Sequence, residues 1–262
     1  MSADLPIETG WLDIGVRAEA SQETAAMRAY LARPQGPGTW PGVLIGFEMF
    51  GITGFARSVA ERFAAAGYLA LVPDFYHWQT AAGDAPVELT ADDGGRARGL
   101  QLINGLDRAL VRADVQACVT ALTSRPDSTG QVAVFAMSAG AHIGFFAGTQ
   151  VPLTALVLLY PGWLVTAGTG LSKPEPLLEL TGQLGKRGTP VLVLAGETDH
   201  LFGPGDFDQI RAALTAAGVQ YELIVYPGTP HGFFCPERDT YRPAEAADAW
   251  ARTTRLLAGE FG

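Results

Sequence analysis

Residues 131–148, QVAVFAMSAGAHIGFFAG, pass from strand-like to helix-like sequence with almost no room for a loop. Val132 to Phe135 is a short apolar run, partly β-branched, of the kind that forms a strand buried on both faces. The small-residue cluster Ala136-Met137-Ser138-Ala139-Gly140 follows, and then Ala-, Gly- and Phe-rich helical sequence. Small residues stand two before and two after Ser138, as a very tight strand-to-helix turn requires. Such a turn lifts the hydroxyl out of the sheet and leaves the next backbone N–H free to donate to an oxyanion. The usual pattern is G-x-S-x-G, and Ala136 occupies the first glycine position here. The same stretch also fits a buried strand leading to a small-residue helix crossing, with Ser138 as a plain N-cap. The remaining chain has to separate the two readings.

Strand-like and helix-like segments alternate along most of the sequence. Around Trp11–Val16 and Met27–Ala32, two short pieces bounded by Glu19-Ala20-Ser21-Gln22 read as an antiparallel pair at a sheet edge. Gly42–Phe47 is an apolar run of strand length, and Gly54–Ala66 has helical spacing closed by Gly67. Tyr68–Asp74 is the next strand. From Phe75 to about Arg96 the chain reads as loop, with Gly94-Gly95 as breakers, followed by helical stretches near Ala97–Leu110 and Val111–Ser124. After the Ser138 stretch come a strand at Ala155–Tyr160, a loop with a short helix at Pro176–Leu184, and a strand at Pro190–Ala195. A helix at Asp206–Ala217, a strand at Tyr221–Tyr226 and a closing helix at Arg242–Ala258 complete the order. This alternation predicts an α/β fold, with a mostly parallel, doubly wound sheet flanked by helices, as a single domain over residues 1–262 without a large cap. Ligands are then expected outside the carboxyl ends of the strands.

Composition excludes several classes of function. Hydrophobic residues make up 48% and charged residues 17% of the chain, enough to fill a sizeable core. The net charge of −9, with no basic block, argues against nucleic acid and anionic membranes as partners. No apolar run is long enough to span a bilayer. The opening MSADLPIETGWLDI carries acids and lacks the apolar core of a signal peptide, so a cytoplasmic location is expected. Cys118 and Cys235, the 2 cysteines, read as buried free thiols. Oligomeric state, monomer or homodimer, is left open.

Glu48, Ser138, Asp199 and His231 each fall just past the carboxyl end of an expected strand, and in a parallel sheet those ends share one edge. The order Ser, Asp, His along the chain is that of the α/β-hydrolase triad and differs from the two protease orders. The chemistry needs each residue type. A serine hydroxyl is a poor nucleophile until a neighbouring base takes its proton. His231 can accept that proton near neutral pH and return it to the leaving group. Asp199 would fix the imidazole tautomer and stabilise the imidazolium. Taken singly, His231 also fits a turn residue beside Pro230, and Asp199 a turn cap. The other histidines fit less well: His142 packs one helical turn beyond Ser138, His200 should diverge from Asp199, and His77 lies in a loop. None has metal-ligand spacing, so no metal is expected. Glu48 follows a wholly apolar strand, where desolvation favours its neutral form; pairing with Arg57 is the structural alternative.

With these residues in place the chain resembles the dienelactone hydrolase family of α/β-hydrolases over roughly residues 25–258. The resemblance rests on Glu48-Met49-Phe50-Gly51, Ala65–Asp74, the Ser138 turn, Gly196-Glu197-Thr198-Asp199 and Tyr226–Phe233. It implies an esterase or lactonase with a Ser138–Asp199–His231 triad, no cofactor, and small, often conjugated or carboxylate-bearing substrates. It also implies Glu48 as an acid regulating the resting nucleophile, and the N–H groups of Met49 and Ala139 as the oxyanion hole. Two departures bear on the substrate. Family members acting on dienelactone use cysteine where Ser138 stands, and Glu48's implied role belongs to that thiol chemistry. They also carry an arginine at the position of Cys235; here the nearest is Arg238, with Arg96 as a match to a second carboxylate-binding arginine.

These observations lead to a serine hydrolase cleaving small carboxylic esters or lactones through an acyl-enzyme. A weakly catalytic small-molecule binding or receptor protein and a short-peptide or acyl-peptide hydrolase are the alternatives. Phe50, Trp78, Trp163 and Phe233 are candidate pocket walls, with core packing as their rival role.

Overall fold

The computed structural model describes residues 5–18, 22 and 24–261. Residues 1–4, at the start of the N-terminal stretch, and Glu19–Ser21, expected to bound the first hairpin, lie outside the described residues. The chain divides into two compact units, Met1–Ala133 and Val134–Gly262. The division falls within a continuous strand, so no linker marks it in the sequence.

In the first unit, strands β1 (Ile7–Arg17) and β2 (Thr24–Pro34) pair antiparallel in register from Ile7↔Pro34 to Arg17↔Thr24. Strand β2 pairs antiparallel with β4 (Leu69–Pro73), which in turn pairs parallel with β3 (Trp40–Gly46). All five residues of β4 are buried, which is why its sequence is a continuous apolar run with no alternation. Helix α1 (Gly54–Ala65) starts where Thr53 Oγ1 accepts from the Ala56 N–H at 3.3 Å, and it buries Phe55, Val59 and Phe63.

The following pair of helices departs from the sequence reading. Helix α2 spans Asp93–Asn104 and α3 spans Arg108–Thr123, so the break falls at Gly105-Leu106-Asp107, before the expected Leu110/Val111 boundary. Asp92 caps α2 by accepting from Gly95 N–H at 2.8 Å, and Asp107 caps α3 through Ala109 N–H at 2.8 Å. Gly94-Gly95 therefore open a helix where they were expected to break one. Gly95 is there because a Cβ would lie 1.9 Å from the Thr90 carbonyl oxygen.

The second unit carries the C-terminal end of β5 (Ser128–Met137), followed by β6 (Leu156–Leu159), β7 (Val191–Gly196) and β8 (Tyr221–Tyr226), neighbours paired parallel in that order. Helix α4 (Ala139–Gln150) is apolar all round and buried from Ala139 to Thr149. Its glycines let it lie close to the strands. A Cβ on Gly144 would come within 3.0 Å of Ala136 Cβ, and one on Gly148 within 2.4 Å of Leu156. Helices α5 (Thr181–Arg187), α6 (Asp206–Ala216) and α7 (Pro243–Phe261) complete the unit. Cys118 and Cys235 are both buried, and neither forms a disulfide among the described residues. Among the described residues no helix is long and apolar enough to cross a membrane.

Candidate active site

Ser138 sits between β5 and α4 with φ 54° and ψ −119°, a conformation that non-glycine residues rarely adopt. Its N–H donates to the Leu159 carbonyl at 3.0 Å, and its own carbonyl accepts from His142 N–H at 3.1 Å. These bonds tie the strained residue to the strand beside it and to the helix after it, so the turn is imposed from both sides. Ala139 is the first residue of α4, and its N–H is one of those with no acceptor inside the helix. Ala136 is tolerated where the motif usually has glycine because the helix presents Gly144 opposite its methyl group.

The candidate base His231 and its candidate orienting acid Asp199 come from the segments after the last two strands. Thr198 N–H donates to Thr229 O at 3.0 Å, Glu197 N–H to Tyr226 O at 2.9 Å, and Gly228 N–H to Glu197 Oε2 at 2.8 Å. These bonds lace the segment after β7 to the segment after β8. Gly196 makes the approach feasible: a Cβ there would stand 2.1 Å from Thr229 O. The result is a continuous polar chain. His231 Nε2 lies 2.9 Å from Ser138 Oγ, and His231 Nδ1 lies 2.7 Å from Asp199 Oδ2. The other carboxylate oxygen of Asp199 accepts from Leu201 N–H at 2.9 Å. An ionised carboxylate only accepts, so Nδ1 carries the proton and Nε2 is left to accept from the serine. The Asp199 side chain is fully buried and that of His231 only 11% exposed, which shields the chain of bonds from competing water.

Aromatic rings hold the imidazole from the side. Tyr160 meets His231 edge-on at 4.9 Å between centroids, and Phe233 packs against Tyr160 and Tyr226, each at 5.3 Å. Phe233 is entirely buried in this packing, the core role that rivalled its place as a pocket wall. Tyr160 was not singled out from the sequence, although it ends its strand next to Pro161-Gly162 as the triad residues end theirs. His200 comes closer than its neighbouring position suggested. Its Nδ1 is 3.9 Å from Asp199 Oδ1 and its ring 5.3 Å from that of His231. In an extended strand successive side chains diverge, but Phe202 N–H bonds back to Asp199 O and curls this segment into a turn.

Two other residues named from the sequence belong to this unit. Trp163 is half-buried, with φ 57°, and its ring meets that of His142 edge-on at 6.1 Å. Arg238 is half-buried as well, and its side chain crosses Gly232, next to His231, 3.3 Å from where a Cβ would stand.

In the first unit, the Glu48–Gly51 segment forms a turn closed by Gly51 N–H donating to Glu48 O at 3.2 Å. Gly51, at φ 81°, is the one residue type that fits, since a Cβ would lie 1.9 Å from Val87 O. Glu48 and Phe50 are buried, and the Met49 carbonyl accepts from the Tyr76 hydroxyl at 3.3 Å. Arg57 is engaged by Glu88 at 2.9 Å and by the Ile52 carbonyl at 2.7 Å. Trp78 donates its indole N–H to the buried Asp114 at 2.9 Å, and His77 Nε2 contacts the same oxygen at 2.9 Å. Burial pushes the Asp114 carboxyl above its ordinary value, against the lowering effect of these two partners. Arg96 is exposed and lies 3.9 Å from Asp93. Among the described residues no group of three or more His, Cys, Asp and Glu could hold a metal ion.

The family model described as "Dienelactone hydrolase family" matches residues 27–261. A Synechocystis protein named "Putative carboxymethylenebutenolidase" is 28% identical over 88% of this chain and 91% of its own length. A Bradyrhizobium protein named "Probable 2-oxo-3-(5-oxofuran-2-ylidene)propanoate lactonase" is also 28% identical, over 96% of this chain and 94% of its own. Among solved structures, one titled "Putative Dienelactone Hydrolase" from Klebsiella pneumoniae superposes with a TM-score of 0.80 at 26% identity, covering 97% of this chain and 99% of that one. The match spans the α/β architecture and both strand ends that carry Asp199 and His231: this chain belongs to the dienelactone hydrolase family of α/β-hydrolases.

Proposed function

We propose that this protein is a serine hydrolase that cleaves small carboxylic esters or lactones through an acyl-enzyme. The observation that carries this reading is the unbroken chain from Ser138 Oγ through His231 to Asp199, at 2.9 and 2.7 Å, built on a serine held in a strained turn. The Ser138 oxygen attacks the acyl carbon as its proton passes to His231 Nε2. Asp199 stabilises the imidazolium without taking the proton itself. The Ala139 N–H, free at the start of α4, is positioned by the turn to donate to the oxyanion. Collapse of the tetrahedral intermediate expels the alcohol, protonated by His231, and leaves an ester on Ser138. For a lactone, that alcohol remains part of the same molecule. Water, deprotonated by His231, then releases the acid and restores the serine.

Two relatives named for lactone hydrolysis support unsaturated, carboxylate-bearing lactones as one substrate class to test. Serine at the nucleophile position supports simple esters equally, because an oxygen nucleophile with a histidine base does not need an activated lactone. The experiment is hydrolysis of p-nitrophenyl acetate together with labelling by a fluorophosphonate, on the native protein and on Ser138→Ala. The native protein should turn over the ester and take the label at Ser138, and the variant should do neither. Undiminished hydrolysis by Ser138→Ala would overturn the assignment. Labelling of Ser138 without turnover of any ester or lactone would leave a binding protein with an intact triad.

A further inference from the structure

Among the described residues, the non-glycine residues with a left-handed φ are Gln22, Ser138, Tyr160 and Trp163. Ser138 is the nucleophile and Tyr160 packs on the catalytic histidine, so two of the four already belong to the site. Strain of this kind persists only where the surroundings enforce it, and it concentrates where a side chain must be aimed. Trp163, three residues past Tyr160, has no role in the triad. What enforces its conformation is a buried polar cluster between α4 and the loop after β6.

His142 lies one helical turn after Ser138 on α4 and is completely buried. Its Nε2 is 2.8 Å from Thr169 Oγ1 and 3.4 Å from Ser172 Oγ. Thr169 donates to Ser172 Oγ at 3.2 Å, and the Ser172 hydroxyl donates to the Trp163 carbonyl at 3.1 Å. Thr169 and Ser172 are 2% and 0% exposed, so water does not replace these bonds when one is lost. The His142 ring also meets the Trp163 indole edge-on at 6.1 Å. One imidazole on the nucleophile's own helix therefore grips the loop that follows β6 at its backbone, through Ser172, and at its aromatic side chain. Trp163 itself is a partly exposed residue.

We propose that His142, acting through Thr169 and Ser172, is a positioning residue that fixes Trp163 as the wall receiving the acyl part of the substrate, and that this wall selects aromatic acyl groups over small aliphatic ones. The proposal rests on the ester and lactone hydrolase reading given above. The chemistry favours a flat group because an indole offers area and stacking geometry to a planar acyl portion that a methyl group cannot use. His142 touches no reacting atom; its effect is on selectivity.

The test compares p-nitrophenyl benzoate with p-nitrophenyl acetate on the native protein, Trp163→Ala, Thr169→Val and Thr169→Ser. The benzoate-to-acetate ratio of kcat/KM should fall by about 10-fold or more in Trp163→Ala, the scale at which pocket contacts discriminate. Thr169→Val, which keeps the shape and removes the hydroxyl, should move the ratio in the same direction, while Thr169→Ser should restore it. The near-UV dichroism of Trp163, read as the difference between the native protein and Trp163→Phe, should collapse in Thr169→Val and persist in Thr169→Ser. An unchanged ratio in Trp163→Ala would remove the wall. Equal losses on both esters in Thr169→Val, with the Trp163 signal intact, would remove the positioning role. If the native protein neither hydrolyses an ester nor takes the fluorophosphonate, the hydrolase reading fails, and the dichroism alone then decides whether His142 and Thr169 position Trp163.

Discussion

Replacing Asp199 by Asn leaves the size of the side chain almost unchanged and should nonetheless remove most of the activity. The reason lies in the two partners of the carboxylate. Oδ1 accepts from the Leu201 N–H at 2.9 Å and Oδ2 faces His231 Nδ1 at 2.7 Å. An amide has one acceptor and one donor group. The Leu201 N–H can only donate, so it selects the amide oxygen and turns the NH2 towards the imidazole. His231 must then accept at Nδ1 and carry its proton on Nε2, 2.9 Å from the Ser138 oxygen. The nitrogen that should act as base becomes a donor, and the charge that stabilises the imidazolium is lost as well. Comparable loss of a triad acid costs about 1,000- to 10,000-fold, or about 4–5.5 kcal/mol of transition-state stabilisation. The assay is kcat/KM on p-nitrophenyl acetate for the native protein and Asp199→Asn, with the rate of fluorophosphonate labelling as an independent measure of Ser138 nucleophilicity. Both should fall together while the thermal unfolding profile shows a folded protein. A folded variant that retains activity within about 10-fold would refute the tautomer argument.

Two further outcomes follow from the geometry. Gly196→Ala places a methyl group 2.1 Å from Thr229 O, which forces apart the two segments that hold Asp199 and His231. It should lower stability by about 1–3 kcal/mol and depress kcat more than the lost stability explains, read from thermal unfolding and steady-state kinetics; activity at the native level would show that the segments yield without separating. The Asp114 carboxyl is held above its ordinary value by burial, so its neutral form favours folding. That contribution is complete below the unfolded value of about 3.9 and is lost as pH rises through the folded value. The melting temperature of the native protein should therefore fall relative to that of Asp114→Asn as pH is raised from about 4 towards neutrality, and a difference independent of pH would contradict the sign.

The sequence was most legible where one residue type had one physical use. Continuous apolar runs such as Leu69–Pro73 and Val191–Gly196 are strands buried on both faces, and short length with no alternation identifies them. The candidate site was legible for a related reason: Ser138 directly follows such a run, and Asp199 and His231 stand in the short turns after the ends of β7 and β8. Glycine and capping signals were read less well. Gly94-Gly95 looked like breakers because glycine disfavours helix interiors, yet they open α2, where Asp92 caps the helix and the Thr90 carbonyl leaves no room for a Cβ. The break at Gly105-Leu106-Asp107 carried its own signal, a glycine at the helix end followed by an aspartate cap for α3.

By itself the sequence determined the alternation of strands and helices, and it pointed to Ser138 as the candidate nucleophile with Asp199 and His231 after it, because hydrophobic periodicity and tight-turn sterics act locally. The tertiary structure alone decided what surrounds those residues. That Gly144 makes room for Ala136, that Tyr160 braces His231, that His200 curls back towards Asp199, and that His142 grips the loop carrying Trp163 all depend on segments distant in the chain or on the path of a turn. Such contacts follow from how packed elements bring backbone and side chains within a few ångströms of each other, and no local pattern encodes that distance.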